Sequence, residues 1–374
     1  MRIIYVADAF AVWGGLERVL ADKINYLTSY YCYEICLLTV NQKTHVVPYT
    51  LHPGVRHVDL NVQTHQQYHY QGIRRLLMRR ELERVLKYRM KRALEEIKPD
   101  IVICVKLDFV NILSELRGEI PLVVETHTLC KSEFIDGSGW LRRIHIWFWK
   151  QKIRKANGIV ALTGGDAKDW ERINKNVYVI PNMVHLNEIE QYSGLQNKSV
   201  IYVGRFSQQK DIDSLLQIWS LVHHLHPDWH LNIYGEGEMR EHYLAIIEKM
   251  KEDIHVYEPS ADIMNKYKEN SILLLTSLYE PFGLVLPEAM SCGLPVIAFD
   301  CPYGPSDIIT DGVDGLLIKN RDIDEFANKV CLLIENEELR CQMGNKGIIS
   351  SQRYRADVIM PKWISLFEEL TSAQ

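Results

Sequence analysis

The sequence predicts an α/β protein made of two doubly wound domains in tandem. Short apolar runs alternate with longer helix-forming runs, which is typical of parallel sheets covered by helices. The alternation stops at a polar stretch and begins again near residue 199, so the same pattern occurs twice. The 374 residues, 47% of them hydrophobic, are enough to build two cores.

The first half of the chain contains five predicted strands before its closing turn. Because the first strand starts at the N-terminus, we expect no signal peptide. Strands are predicted at 2–7, 34–40, 101–105, 122–125 and 158–162, and helices at 15–29, 71–97, 141–156 and 164–173. Residues 61–70, rich in Gln and His, match neither period and are predicted to form a loop. Residues 177–182 are predicted to form the last strand of the first half and the turn that follows it.

The second half repeats the pattern after a polar linker that reaches residue 198. Strands are predicted at 199–203, 230–234, 254–257, 272–276 and 295–299, and helices at 212–226, 239–251, 263–269, 286–292 and 356–370. We therefore predict two Rossmann-like domains, residues 1–184 and 185–355, and a C-terminal helix within 356–374. Ligands of such sheets bind at the carboxyl ends of the strands.

The composition narrows the class of protein further. No apolar run is long enough to span a bilayer, so an integral membrane protein is not expected. The eight cysteines are irregularly spaced without a C-x-x-C pair, which favours reduced core thiols in a cytoplasmic protein. Residues 1–184 hold 27 Lys and Arg against 19 Asp and Glu, whereas the rest holds 16 against 29. The two halves are therefore expected to face different partners.

One segment carries the strongest chemical signal. Residues 280–288 read E-P-F-G-L-V-L-P-E, with two carboxylates eight positions apart around a Gly-bearing turn between a predicted strand and a helix. Backbone N–H groups at such a turn and helix start can hold an anion. The flanking acids, Glu280 and Glu288, can bind hydroxyl groups of the same ligand. The segment thus predicts a pocket for a nucleotide sugar.

Several motifs together resemble one family, the GT-B, family 4 retaining glycosyltransferases. The resemblance covers essentially the whole chain, and it rests on the order and spacing of the motifs rather than on any single one. They are Gly14-Gly15-Leu16-Glu17, Pro181-Asn182, Gly204-Arg205-Phe206 with Lys210, the E-x7-E segment, the run from Gly293 to Ala298, and the run from Gly312 to Leu316. The run from Asp300 to Pro305 also resembles enzymes that build bacterial surface polysaccharides and lipid-linked oligosaccharides.

The resemblance implies a fold and a set of donor-binding residues. The two domains would face each other across a cleft, with the C-terminal helix returning to the N-terminal domain. Arg205 and Lys210 would bind the nucleotide diphosphate, which suits a planar guanidinium and a mobile ammonium. Glu288 would hold the ribose, although an acid in the first turn of a helix can also simply stabilise that helix. The amides of Phe282, Gly283 and Leu284 would meet the phosphate or the sugar.

The resemblance also implies catalytic residues. Glu280 would position sugar hydroxyls or stabilise positive charge at the anomeric carbon. His127 matches a family histidine near the transferred sugar, whereas a lone histidine is otherwise most often structural. Gly15, with Gly14 before it, lets the backbone approach a phosphate, and a tight turn explains the same glycines.

Two departures from the family pattern concern the hinge and metals. The family often has Pro-Asn-Gly-Val-Asp at the hinge, whereas this chain reads Pro-Asn-Met-Val-His from Pro181. The pairs Asp211 and Asp213, and Asp322 and Asp324, look like D-x-D metal motifs. Because both pairs open helices, where Asp is an ordinary N-cap, we predict capping. No metal and no cofactor is expected.

Two stretches of the basic half predict contact with an anionic membrane surface. Residues 73–92 contain nine Arg and Lys against two Glu and carry a second, apolar face. Residues 140–155 interleave Trp and Phe with Arg and Lys, which suits the headgroup layer. The alternative is that the apolar faces pack on the sheet while the cations are solvated. A basic groove for nucleic acid is a third interpretation, but no nucleic-acid recognition motif accompanies these stretches.

The resulting expectation is a cytoplasmic, peripheral glycosyltransferase of surface polysaccharide biosynthesis. It would transfer a hexose or N-acetylhexosamine from a nucleoside diphosphate sugar, with UDP as the default, to a glycan on a polyprenyl diphosphate. The resemblance implies retention of configuration, with double displacement through Glu280 as the rival mechanism. Three alternatives remain: a soluble transferase making a storage glucan or a small glycoside, a sugar-nucleotide epimerase, and a non-catalytic nucleotide-sugar binding subunit.

Overall fold

A computed structural model of the chain describes residues 1–12, 14–131, 140–184 and 192–372, and for residues 140–145 the backbone alone. The chain divides into two compact units. Unit 1 comprises Met1–Met183 and Ile359–Gln374, and unit 2 comprises Val184–Val358. The C-terminal helix thus belongs, from Ile359 on, to the unit that contains the N-terminus.

Unit 1 is built on a sheet of seven parallel strands in the order β3-β2-β1-β4-β5-β6-β7. The strands are β1 Arg2–Ala7, β2 Glu34–Thr39, β3 Arg56–Asp59, β4 Ile101–Cys104, β5 Leu122–Glu125, β6 Gly158–Ala161 and β7 Val177–Val179. The helices are α1 Gly15–Tyr31, α2 Gly72–Ile97, α3 Val110–Leu116, α4 Trp140–Ile153 and α5 Gly164–Trp170, with 3-10 turns at Thr64–His69 and Leu107–Phe109. The central strands are buried on both faces, which explains their unbroken apolar sequences.

Unit 2 is built on a sheet of six parallel strands in the order β10-β9-β8-β11-β12-β13. The strands are β8 Ser199–Val203, β9 His230–Tyr234, β10 Ile254–Tyr257, β11 Ile272–Leu275, β12 Val296–Phe299 and β13 Leu316–Ile318. The helices are α6 Ile212–Leu225, α7 Arg240–Ile247, α8 Ile263–Lys268, α9 Val285–Ser291, α10 Gly304–Ile308, α11 Ile323–Glu335 and α12 Glu337–Ser351, with 3-10 turns at Gln208–Lys210, Lys319–Arg321 and Gln352–Tyr354. The C-terminal helix α13, Ala356–Ser372, begins in unit 2 and belongs to unit 1 from Ile359 on.

The predicted fold class is confirmed, because each unit has a parallel sheet whose strands are joined through helices. The predicted loop at residues 61–70 is wrong in part, since Thr64–His69 forms a 3-10 helix. The sequence reading also did not anticipate β3, α3, β13, α10 or α12. No helix among the described residues is both long and apolar enough to cross a bilayer.

The apolar face of α2 packs on the core of unit 1. Leu82, Leu86, Met90, Ala93 and Leu94 are buried there. The first turns of the same helix differ, because Ile73, Leu76 and Leu77 are exposed beside exposed arginines. The second half of α2 therefore packs its apolar face within unit 1, which was the alternative to membrane contact. The first turns of the helix leave their apolar side chains exposed.

Candidate active site

The donor-binding residues predicted in unit 2 follow two neighbouring strands at the middle of its sheet. Strands β8 and β11 pair directly, and the strand order reverses between them. Arg205 and Lys210 follow β8, and Glu280 follows β11. In doubly wound sheets the point where the order reverses leaves a crevice at the carboxyl ends of the strands.

Lys210 and Glu280 are in direct contact. The ammonium of Lys210 forms an ion pair with Oε1 of Glu280, and their side chains are only 16% and 6% exposed. The hydroxyl of Ser277 donates to the same carboxylate oxygen at 2.7 Å. The carbonyl of Lys210 in turn accepts a hydrogen bond of 3.0 Å from the hydroxyl of Thr276. The end of β11 therefore holds both partners of the pair.

The turn after Glu280 presents three successive amides without acceptors. The N–H groups of Phe282, Gly283 and Leu284 donate no hydrogen bond to any described residue. Gly283 has a φ of +88°, which favours glycine, and α9 begins two residues later. Successive amides of this kind form a concave site for an anionic oxygen. Gly304 packs against this turn so closely that a Cβ there would lie 2.0 Å from the carbonyl oxygen of Phe282.

Arg205 is exposed, and its side chain makes no hydrogen bond or ion pair with the described residues. Its backbone carbonyl accepts a hydrogen bond of 2.9 Å from the amide of Ser207. Its backbone neighbours pack against residues 235–237. A Cβ on Gly235 would lie 2.0 Å from the carbonyl oxygen of Gly204, and one on Gly237 would lie 2.5 Å from that of Phe206. The sequence reading missed this glycine pair, although a Gly-x-Gly directly after a strand was a usable signal.

Glu288 is buried in α9 and points toward α8. The hydroxyl of Tyr267 donates a hydrogen bond of 3.0 Å to its Oε2. No contact joins its carboxylate to Lys210, Glu280 or Arg205. The structure thus brings Lys210 and Glu280 together, but it does not bring Arg205 and Glu288 into contact with them.

Arg321, which was not predicted from the sequence, contacts residues next to the Lys210–Glu280 pair. Arg321 forms an ion pair with Asp211, the residue after Lys210, and donates to the carbonyl of Ser277 at 3.0 Å. Asp211 also caps α6, since its carboxylate accepts from the amide of Ser214. Asp322 caps α11 in the same way, through the amide of Glu325. The predicted capping roles of Asp211 and Asp322 are thereby confirmed.

No group of three His, Cys, Asp or Glu side chains in the described part of the chain is arranged to hold a metal ion. The cysteines are all free, and six of the eight are buried.

The predicted catalytic histidine lies in unit 1, two residues after the end of β5. Its Nε2 is 3.1 Å from Oε1 of Glu125, at angles that do not make a hydrogen bond. Glu125 forms a buried ion pair with Lys23 of α1. Burial raises the pKa of Glu125, but the charges of Lys23 and His127 outweigh it and lower that pKa to about 2. His127 therefore lies beside a carboxylate whose charged form is favoured by its neighbours.

The glycines before α1 have different surroundings. A Cβ on Gly14 would lie 2.4 Å from a carboxylate oxygen of Glu17, and its carbonyl accepts from the hydroxyl of Tyr49 at 3.1 Å. Gly15 has nothing within 4 Å of the position that a Cβ would take. The Glu17 carboxylate is the end of a flexible side chain and can move away, so packing within the chain does not require glycine at Gly14 or at Gly15.

Two family models match adjacent parts of the chain. Glycosyltransferase Family 4 matches residues 13–188, and Glycosyl transferases group 1 matches residues 188–349.

Similar proteins carry related names. The chain is 28% identical to the amylovoran biosynthesis glycosyltransferase AmsD of Erwinia amylovora, over 97% of this chain and 98% of that protein. It is 24% identical to the Campylobacter jejuni alpha-1,4-N-acetyl-D-galactosaminyltransferase named for a GalNAc-containing glycan on undecaprenyl diphosphate, over 76% of this chain and 79% of that protein.

Solved structures show the same fold. TarM of Staphylococcus aureus, in a complex that includes UDP, has a TM-score of 0.80 at 18% identity, covering 98% of this chain and 99% of that one. HepE of Anabaena, in complex with UDP, has a TM-score of 0.76 at 18% identity, covering 99% and 100%.

Proposed function

The chain belongs to the GT-B, family 4 glycosyltransferases of the polysaccharide and glycoconjugate biosynthesis type, and we propose that it transfers a hexose or N-acetylhexosamine from UDP to a glycan acceptor. The observation that carries the proposal is the Lys210–Glu280 pair beside three amides that have no acceptor among the described residues, at the reversal point of the unit 2 sheet. The site combines a cation, a carboxylate and an anion-binding turn, which are the groups that a nucleoside diphosphate sugar needs.

Each residue has a proposed task. Lys210 and Arg205 neutralise the diphosphate, and the amides of Phe282, Gly283 and Leu284 bind its oxygens or those of the sugar. Glu280 binds sugar hydroxyls, and Glu288 binds the ribose. For the last task Glu288 has to keep or exchange its hydrogen bond to Tyr267. UDP is the proposed nucleotide because both TarM and HepE are described in complex with UDP.

The proposed reaction retains the configuration of the sugar and uses no metal. The bond from the anomeric carbon to the phosphate oxygen breaks, and the acceptor oxygen bonds to the same carbon from the same face. The acceptor proton moves to the leaving phosphate, so the products are the glycoside and UDP. Cationic side chains and amides stabilise the charge that grows on the phosphate. The proposed task of His127 is to orient the transferred sugar.

The proposed acceptor is a glycan on a polyprenyl diphosphate, reached from an anionic membrane surface. The undecaprenyl diphosphate in the name of the Campylobacter jejuni relative supports a lipid-linked acceptor. Exposed Ile73, Leu76 and Leu77 among the arginines of α2, and exposed Trp147 and Phe148 of α4, support attachment to such a surface.

The test is a donor and acceptor screen followed by product analysis. Thermal shift identifies the nucleotide sugars that bind, and purified enzyme is then incubated with each of them and with polyprenyl diphosphate-linked glycans. We expect a glycosylated lipid whose new linkage has the anomeric configuration of the donor by NMR, with turnover unchanged by chelator. An inverted linkage, loss of turnover with chelator, or conversion of the donor without an acceptor would contradict the proposal. A soluble glucan as the preferred acceptor would contradict the lipid-linked part alone.

A further inference from the structure

Arg321 links the two segments that carry the Lys210–Glu280 pair. Its guanidinium donates hydrogen bonds of 3.0 Å to the carbonyls of Thr276 and Ser277 at the end of β11. The same group forms an ion pair with Asp211, directly after Lys210. Ser277 in turn donates to Glu280. One side chain therefore fixes the strand end that holds Glu280 against the turn that holds Lys210.

The contacts require a guanidinium rather than any cation. Nη1 binds one carbonyl, whereas Nη2 faces the other carbonyl and the carboxylate of Asp211. The guanidinium carbon lies 4.2 Å from the centre of the Phe299 ring, so the group also stacks on an aromatic face. An ammonium has neither the fork nor the plane to make these contacts together.

The backbone supports the same reading. Arg321 has a φ of +55°, and its partner Asp211 has a φ of +48°. A left-handed backbone is unfavourable for a long side chain such as Arg, and glycine would take it without strain. Asn320, with a φ of +55° as well, is a residue type that tolerates this region. An arginine kept in a strained position is explained if its side chain has a task there.

We propose that Arg321 is a positioning residue for the donor site. It holds Lys210 and Glu280 opposite each other before the ligand arrives, and it does not itself contact the ligand. The inference rests on the proposed function of that pair. A displacement of about 1 Å at a reacting centre costs about 100-fold in rate. Loss of the Arg321 contacts should therefore lower kcat more than it raises the donor KM.

The test compares Arg321→Gly with Asn320→Gly. Both relieve a positive φ, but only the first removes the guanidinium. We expect Asn320→Gly to keep wild-type kcat, and Arg321→Gly to keep a near wild-type Tm while kcat falls about 10- to 100-fold. Millimolar methylguanidinium should restore part of the activity of Arg321→Gly and leave the wild type unchanged. Arg321→Lys should remain impaired, because its ammonium cannot make the paired contacts.

Other outcomes have distinct meanings. Wild-type kcat in Arg321→Gly would overturn the inference and leave the proposed function standing. If Arg321→Gly does not fold, Arg321→Lys decides, because a folded Lys variant with wild-type kcat overturns the inference and a folded, impaired one supports it. A wild-type protein that neither binds UDP nor turns over any UDP-sugar would contradict both proposals.

Discussion

Lys23 and Glu125 place two opposite charges in the interior of unit 1. Each residue is 2% exposed, and the ammonium of Lys23 lies 4.0 Å from the centre of the Trp363 ring in α13. Oε2 of Glu125 and the hydroxyl of Tyr5 are buried without a hydrogen-bond partner among the described residues. A buried pair of this kind adds little net stability, but either charge alone would be strongly unfavourable.

Removing one member of this pair should therefore be far worse than removing both. We expect Lys23→Met or Glu125→Leu to lower the free energy of unfolding by about 3–5 kcal/mol, because each leaves an uncompensated buried charge. The double variant should lose much less than the sum of the two. Urea unfolding of the four proteins, as a double-mutant cycle, measures the coupling.

The matched control is the exposed pair of Lys198 and Asp228, with side chains 61% and 54% exposed. Lys198→Ala should leave the free energy of unfolding close to that of the wild type, because solvent screens the pair. Additive losses for Lys23 and Glu125 would contradict the account of the buried pair.

Among the elements, those with apolar, buried sequences were predictable. The mostly buried strands β1, β5, β8 and β9 have the bounds expected from sequence, and so does β10, although it is a partly exposed edge strand. Strand β3 was not predicted because Arg56–Asp59 is polar and lies at the sheet edge, where it pairs only with β2. Helix α3 was not predicted because its seven residues give too few turns for a helical period to be recognised.

The same logic separates the site residues that sequence could find from those it could not. Lys210 and Glu280 stand in motifs with fixed spacing, so both were candidates from sequence. Arg321 does not, since it binds backbone carbonyls and an aspartate 110 positions away. Contacts with backbone carbonyls and with a residue distant in sequence produce no motif around Arg321 that could be recognised from the sequence. The pairing of Lys23 with Glu125 could not be predicted for the same reason, because it joins a helix and a strand that are 102 positions apart in sequence.

At the scale of the whole molecule, the excess of basic residues lies in the first half of the chain. Part of it is structural, because Arg89 donates to two backbone carbonyls and Lys87 pairs with Glu115. The arginines in the first turns of α2 remain exposed. They are the cations that we propose contact an anionic surface.

Charge reversal there should release the protein from anionic vesicles. Arg74→Glu with Arg75→Glu is expected to lower binding to phosphatidylglycerol-containing vesicles about tenfold or more, at about 1 kcal/mol per cation lost. The matched control is Lys249→Glu with Lys251→Glu, two exposed lysines of unit 2. Vesicle sedimentation measures both. An equal loss in both variants would show a general charge effect and contradict a membrane face on α2.

The proposed function requires that the end of the unit 2 sheet binds a nucleoside diphosphate through Lys210. Calorimetric titration of UDP into the wild type, into Lys210→Ala and into Lys319→Ala, an exposed cation of the same unit, tests it most directly. We predict that the wild type and Lys319→Ala bind UDP equally, and that Lys210→Ala binds it about tenfold or more weakly, because a charge-assisted contact is lost. Equal affinity of Lys210→Ala and the wild type, or no binding of UDP by any of the three, would contradict the claim.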